Sequence, residues 1–299
     1  MLKRHTSLLA KTALFTATII WGTTFFIMEG AIENIGIYTL LSFRFILAAA
    51  LLAIILHKSL KKIDKRYILR GFVLGAFNIL AYIAQTYGLA DPNTTPGKNA
   101  FLTAIYCIIV PFLFWAVTKI RPDIYNIVAA IMCLLGITLV SMSGSDFTSI
   151  CRGDLLTLVG GVFFACHMVS VSIFSKQYDI LLLTMLQFLF AGIISLIGAF
   201  AFDTFPSEIS YATVVSVLYL AIFATCICYI LQNVGQKFTP PATSALILSL
   251  EAVFGIIFSV IFTSERLTPR LFIGFVVIFL AIIISEIKPS LKFKKRSLK

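Results

Sequence analysis

Tyr82-Ile83-Ala84-Gln85-Thr86-Tyr87-Gly88 and Tyr229-Ile230-Leu231-Gln232-Asn233-Val234-Gly235 follow one pattern, Tyr-x-x-Gln-x-x-Gly. A turn follows each copy, then Asn99-Ala100 after the first and Pro240-Pro241 with Ser244-Ala245 after the second. Both copies lie in apolar stretches long enough to cross a bilayer. A duplicated pattern of spans marks a transporter built from two structural repeats, with its site at their interface.

Working outward, the same duplication links Trp21-Gly22 to Phe164-Ala165 and Arg44-Phe45 to Gln187-Phe188. Composition supports a membrane setting. The 299 residues are 60% hydrophobic and 12% charged, whereas soluble domains average about 45–50% apolar and about 25% charged. Mean hydropathy is +1.01. A spanning helix needs roughly 20 apolar residues. Ten such stretches are read at 10–28, 36–56, 68–89, 98–118, 124–143, 154–175, 181–201, 211–236, 242–263 and 270–287. They are longer and more continuously apolar than the alternating strands of a barrel.

The expected fold is therefore an all-α polytopic membrane protein with ten transmembrane helices. Residues 12–143 and 154–287 form two five-helix repeats, and 288–299 a basic cytoplasmic tail. An odd number of spans per repeat makes the second enter from the opposite side, so the repeats are inverted.

The net charge of +11 is unevenly placed. Of the 24 Lys and Arg, Arg44 falls inside a span, Lys98, Arg152, Arg266 and Arg270 fall on one side, and the other nineteen fall opposite. This asymmetry puts both termini in the cytoplasm of a multi-pass cell-membrane protein. The tail Lys292–Lys299 suits anionic headgroups, so membrane lipids are expected partners. It lacks the aromatic interleaving of a nucleic-acid binder, and no nucleic acid is expected. Five of the six cysteines sit inside spans as small hydrophobes, and Cys151 has no evident partner. The spacing Cys226-x-Cys228 does not suit a metal.

Polar residues recur on particular helical faces. Asn78, Tyr82 and Gln85 share one face, and Thr225, Tyr229 and Gln232 share its counterpart. Asn99, Thr103 and Tyr106 share a face of the fourth span. Ser244, Leu248, Glu251, Gly255 and Ser259 share a face of the ninth. Polar side chains in hydrocarbon turn inward. Single residues of this kind serve as interhelical glue, but four related stripes point to a shared cavity. Tyr82, Gln85, Tyr106, Tyr229 and Gln232, with Asn78 and Asn99 nearby and Trp21 among small and polar neighbours, are the expected substrate-binding residues.

Glu251 lies about ten residues into its span, roughly 15 Å deep. Two readings stand: a group that binds a proton or a cationic substrate, or a structural pair with Arg44 at similar depth. His167 is either a proton relay or a neutral, hydrogen-bonded core residue. Pro111 is expected to kink the fourth span, with Gly255 in the corresponding region of the ninth.

Taken in order, Trp21-Gly22-Thr23-Thr24-Phe25, Arg44-Phe45, Gly88-Leu89, Phe101-Leu102-Thr103-Ala104-Ile105-Tyr106, Pro111, Leu248-Ser249-Leu250-Glu251-Ala252-Val253-Phe254 and Glu265-Arg266-Leu267-Thr268 resemble the EamA-type drug/metabolite transporters. The resemblance spans nearly the whole chain. It implies a ten-helix fold and export of a small metabolite, commonly an amino acid or related compound, driven by protons or by substrate gradients. The chain departs from the family pattern at Ala252, where Pro is frequent, at Ile120, where an acid is common, and at Phe164, where Trp is often seen.

No phosphate-binding Gly loop, paired carboxylates or Ser-His-Asp constellation is visible, so no cofactor and no enzymatic activity are expected. The expected function is a secondary transporter exporting a small metabolite by alternating access. The alternatives are a membrane-embedded enzyme, for which the short loops lack clustered Asp, His or Glu, and a channel-like permease, for which no charged ring or filter motif is visible. Oligomeric state is not legible.

Overall fold

Apolar segments in hydrocarbon must satisfy their backbone groups internally, and the helix is the local solution. The computed structural model describes residues 2–32, 34–141, 151–205, 208–262 and 269–287, which are helical with short connections and contain no strand. The tail 288–299 and the segment Glu265-Arg266-Leu267-Thr268 lie outside the described residues.

The helices are α1 (Leu2–Ile32), α2 (Ile37–Ile55), α3 (Lys65–Leu89), α4 (Pro96–Thr103), α5 (Tyr106–Thr118), α6 (Ile124–Ser141), α7 (Arg152–Phe174), α8 (Ile180–Phe202), α9 (Tyr211–Tyr219), α10 (Cys228–Phe238), α11 (Pro241–Leu248), α12 (Leu250–Phe262) and α13 (Pro269–Ile287). Among the described residues, eight segments are long and apolar enough to cross a membrane; α4–α5, α9–α10 and α11–α12 each count as one of them. The outward-facing side chains are largely apolar, among them Ile54, Ile197 and Phe200.

Short polar residues start the helices. Asp64, Thr95, Asp179 and Ser210 each accept a backbone N–H from the first turn that follows, satisfying donors the helix leaves free. Pro96 and Pro241 occupy the first turns of α4 and α11, where a missing N–H costs nothing.

Three of the ten stretches are not regular helices. The fourth breaks at Ala104–Ile105 and the ninth at Ser249. At both breaks the ladder shortens, with Cys107 N–H donating to Ala104 O at 3.0 Å and Ala252 N–H to Ser249 O at 3.1 Å. The Ser249 hydroxyl donates to Leu246 O at 2.7 Å. Pro111 lies inside α5, past the break. The eighth stretch passes through a π segment, Leu220–Ile227, between α9 and α10.

Helix α3 packs on α7 and α8, α2 on α8, α1 on α10 and α12, and α6 on α13. The glycine that ends each Tyr-x-x-Gln-x-x-Gly copy permits two of these approaches. A Cβ on Gly88 would fall 2.7 Å from Gly153 O of α7, and one on Gly235 would fall 2.9 Å from Ala10 O and 2.7 Å from Leu14 Cγ of α1. Only glycine allows backbones this close.

Candidate functional site

Between these helices lies a cavity. Helix α1 contributes Trp21, Thr24 and Phe25, α3 contributes Tyr82 and Gln85, and α5 contributes Tyr106. Phe164 and Met168 come from α7, Tyr229 and Gln232 from α10, Leu248 from α11, and Glu251 from α12. Half of the lining residues are aromatic, and the rest include two amides and one carboxylate.

Tyr106 and Glu251 are the first and second residues of α5 and α12, each just past its helix break. The Tyr106 hydroxyl donates to Glu251 Oε1 at 2.9 Å. Glu251 is 7% exposed, and the breaks bring two helix N-termini, with their partial positive charge, to the same place.

The rings form a connected set. Tyr229 meets Trp21 edge-on at 5.3 Å and lies 6.3 Å from Tyr82, while Tyr82 meets Phe164 at 5.3 Å. Several polar atoms point outward from the cavity to fix this wall. Trp21 Nε1 donates to Ala224 O in the π segment at 2.7 Å. Tyr229 donates its hydroxyl to Asn78 Oδ1, and Gln85 Nε2 donates to Thr103 Oγ1 at 2.9 Å. Gln232 has no hydrogen-bond partner among the described residues.

Asn78 and Asn99 stand behind the lining. Asn78 receives Tyr229, and Asn99 Nδ2 donates to Gln85 O at 3.0 Å and to Thr157 Oγ1 at 2.7 Å. His167 is fully buried outside the lining, its Nε2 3.0 Å from Gln187 Oε1, and it meets the Tyr229 ring edge-on at 5.7 Å.

Arg44 and Glu251 form no ion pair. Arg44, 1% exposed, donates through Nε to Thr225 Oγ1 at 3.2 Å and through Nη1 to Met28 Sδ at 3.2 Å. Its guanidinium stacks 4.8 Å from the Tyr82 ring centroid, and Arg44 is not among the residues that line the cavity. The reading of the two charges as a structural pair is thus corrected. Similar depth does not fix rotation about the helix axis, and Tyr82 stands where the carboxylate was expected.

Sequence reasoning did not single out Phe25, Met168, Thr24 or Leu248 as lining residues. Two of them carried a signal. Phe164 and Met168 stand 143 residues after Trp21 and Phe25, so the duplication that marked the first pair also contains the second. Tyr106 and Glu251 are likewise separated by 145 residues, the spacing of Asn99 and Ser244.

On one face of the bundle a polar cluster ties the α3–α4 turn to the start of α7. Lys98 Nζ lies 2.7 Å from Asp154 Oδ2, and Thr94 Oγ1 donates to Asp154 Oδ1 at 3.4 Å. Asp91 accepts the backbone N–H groups of Asn93 and Gly153, each at 2.9 Å. The Asn93 N–H holds the Asp91 carboxyl below the ordinary aspartate range, reinforced by Gly153, the Asn93 side chain and Arg152 against partial desolvation. Cys151, with no partner evident from sequence, has its thiol 3.3 Å from Thr94 Oγ1.

A relative from Archaeoglobus fulgidus, described as an uncharacterized transporter, is 31% identical over 94% of this chain and 87% of its own. The Bacillus subtilis uncharacterized transporters YoaV and YyaM are 22% and 26% identical, over 87% and 79% of this chain and 91% and 82% of theirs. A solved crystal structure shares the fold with a TM-score of 0.77 at 14% identity, covering 93% of this chain and 96% of that one. The model of the EamA-like transporter family matches residues 8–142 and again 151–286. Matched over nearly its whole length, this multi-pass helical chain belongs to the EamA-like transporter family.

Proposed function

We propose that the protein is a secondary transporter that exports a small metabolite across the cell membrane by alternating access, with the central cavity as its substrate site. Its two halves, 12–143 and 154–287, are inverted five-helix repeats giving ten spans, and both termini are cytoplasmic. One observation carries this reading. Residues at matching places in the duplicated sequence border a single cavity: Trp21 with Phe164, Phe25 with Met168, Tyr82 with Tyr229, Gln85 with Gln232, and Tyr106 with Glu251. A site on the pseudo-two-fold axis is where rocking of one repeat against the other exchanges access.

Glu251 is the proposed coupling group, taking a proton in one half of the cycle and releasing it in the other. The groups around it are Tyr106 from α5, Tyr82 from α3, Tyr229 and Cys228 from α10, and Arg44 from α2 beyond Tyr82. Of these, Glu251 is the one carboxyl group, the side chain whose ordinary state at neutral pH is anionic. The Lys98–Asp154 cluster is the proposed tie on the outer side.

The test is flux into proteoliposomes under an imposed pH gradient, using full-length protein and its Glu251→Gln variant. Saturable, counterflow-competent uptake that responds to the gradient in the wild type only is the expected result. Non-saturating conductance would make the protein a channel, and product formation would make it an enzyme.

A further inference from the structure

Resting on the reading of the central cavity as the substrate site, we infer that its cargo is an organic cation, an amine with an apolar or aromatic body, rather than a zwitterion or an anion.

The lining holds one carboxylate and no Lys, Arg or His. Most donors that border the cavity are turned away from it. Trp21 Nε1 is held by Ala224 O, the Tyr229 hydroxyl by Asn78, Gln85 Nε2 by Thr103, Thr24 Oγ1 by Trp21 O, and the Tyr106 hydroxyl by Glu251 itself. Among these lining groups a substrate carboxylate would find the neutral Gln232 amide unpartnered but no cation, and a buried anion held by so little is expensive. Glu251, in contrast, keeps Oε2 without a partner among the described residues, an acceptor suited to an ammonium group. The rings of Trp21, Tyr82, Phe164 and Tyr229 line the same cavity. Their negative faces attract a cation most strongly where water is excluded.

Arg44 is the nearest fixed positive charge, and it does not offset this arrangement for a carboxylate. It stacks on the Tyr82 ring and is not a lining residue, with Nε and Nη1 committed to Thr225 and Met28. An ammonium at Glu251 would pair directly with its carboxylate, whereas the lining offers a substrate carboxylate no cation to pair with.

The proton proposed above and the cation would then share one carboxylate. Protonated Glu251 releases the amine, and the amine displaces the proton. Outward movement of the cation is thereby coupled to inward movement of a proton, with charge conserved at the site.

A series with a common indole body separates the charge classes: tryptamine (cation), tryptophan (zwitterion) and indole-3-propionate (anion). Binding to the purified full-length protein is read by calorimetry, and counterflow by labelled tryptamine in proteoliposomes. Tryptamine is expected to bind at least about tenfold more tightly than the other two, the preference a desolvated aromatic box with a carboxylate provides. Glu251→Gln should remove the preference. A Tm for Glu251→Gln within a few degrees of wild type in the same detergent controls for misfolding. Equal or tighter binding of tryptophan or indole-3-propionate overturns the cation assignment. So does failure of both tryptamine and tetramethylammonium to bind. If the zwitterion wins and Gln232→Leu abolishes its binding, the cation class fails while the central site stands. If tryptamine binds equally well to wild type, Glu251→Gln and Trp21→Leu, the central site itself is wrong.

Discussion

Tyr106 and Glu251 meet at 2.9 Å, each at the head of the second segment of a broken helix. The contact joins α5 to α12 and places the carboxylate beside a phenol rather than a cation. Arg44 has its own partners in Thr225, Met28 and the Tyr82 ring. Removing the charge of Glu251 therefore leaves no newly orphaned buried cation. The Gln amide oxygen can still accept the Tyr106 hydroxyl. Glu251→Gln is expected to fold with a Tm within a few degrees of wild type. Thr225→Val, which strips an acceptor from a buried guanidinium, should cost about 1–3 kcal/mol. Thermal unfolding of the two variants in the same detergent checks the ordering, and a Glu251→Gln variant less stable than Thr225→Val would contradict it.

Gly235 sets the spacing of α10 on α1. A methyl group there would lie 2.9 Å from a backbone oxygen, Ala10 O, which cannot rotate aside as a side chain could. Gly235→Ala should force the helices apart at an overpacking cost of about 1–3 kcal/mol. Gly30 has nothing within 4 Å of its notional Cβ, so Gly30→Ala should be tolerated or slightly stabilising through helix propensity. Parallel thermal melts decide the matter, and equal Tm values for the two variants would refute the close-approach argument.

Much of the cavity wall was visible in the sequence because polar groups in an apolar span are costly and therefore conspicuous. Tyr82, Gln85, Tyr229, Gln232 and Glu251 stood out for that reason. Phe25 and Met168 did not, since an apolar side chain in an apolar helix looks the same facing lipid or cavity. The helix breaks were also hidden. Neither Ala104–Ile105 nor Ser249 is a Gly or Pro, so local propensity gives no warning, while Pro111, which does, lies within a continuing helix. The supposed Arg44–Glu251 pair failed for a geometric reason: depth along a span follows from residue counting, but which neighbour intervenes does not.

The α3–α4 turn should be sensitive to acid. Asp91 has a folded pKa depressed chiefly by the Asn93 backbone N–H. A depressed carboxylate stabilises the fold at neutral pH, and that contribution is lost as pH falls through the folded value, below the ordinary Asp value of about 4. The turn should hold down to about pH 4 and loosen below it. Asp91→Asn should abolish the acid step while lowering the protection of the turn at neutral pH. Hydrogen exchange at Asn93 and Gly153 reads both effects, and an acid step that persists in Asp91→Asn would assign it elsewhere.

The same cluster offers a native reporter of its own opening. Cys151 is half-buried with its thiol against Thr94, whose hydroxyl also reaches Asp154. Asp154 in turn holds Lys98 and accepts the Cys151 backbone N–H at 3.1 Å. Asp154→Asn keeps the side-chain shape but removes the ion pair and weakens the acceptor at both oxygens. The tie between the α3–α4 turn and α7 should loosen, raising the fraction of molecules in which Cys151 is free. An impermeant maleimide added to intact cells should therefore label Cys151 several-fold faster in Asp154→Asn than in wild type. Lys98→Gln should give a smaller increase, because the other contacts of Asp154 survive and a partly exposed ion pair contributes at most about 1 kcal/mol. The remaining cysteines lie within helices packed in the bundle, and a Cys151→Ser control accounts for any labelling of them. Unchanged labelling rates in both variants would show that the Lys98–Asp154 pair does not govern access on this side, and absence of labelling from outside would reverse the proposed topology.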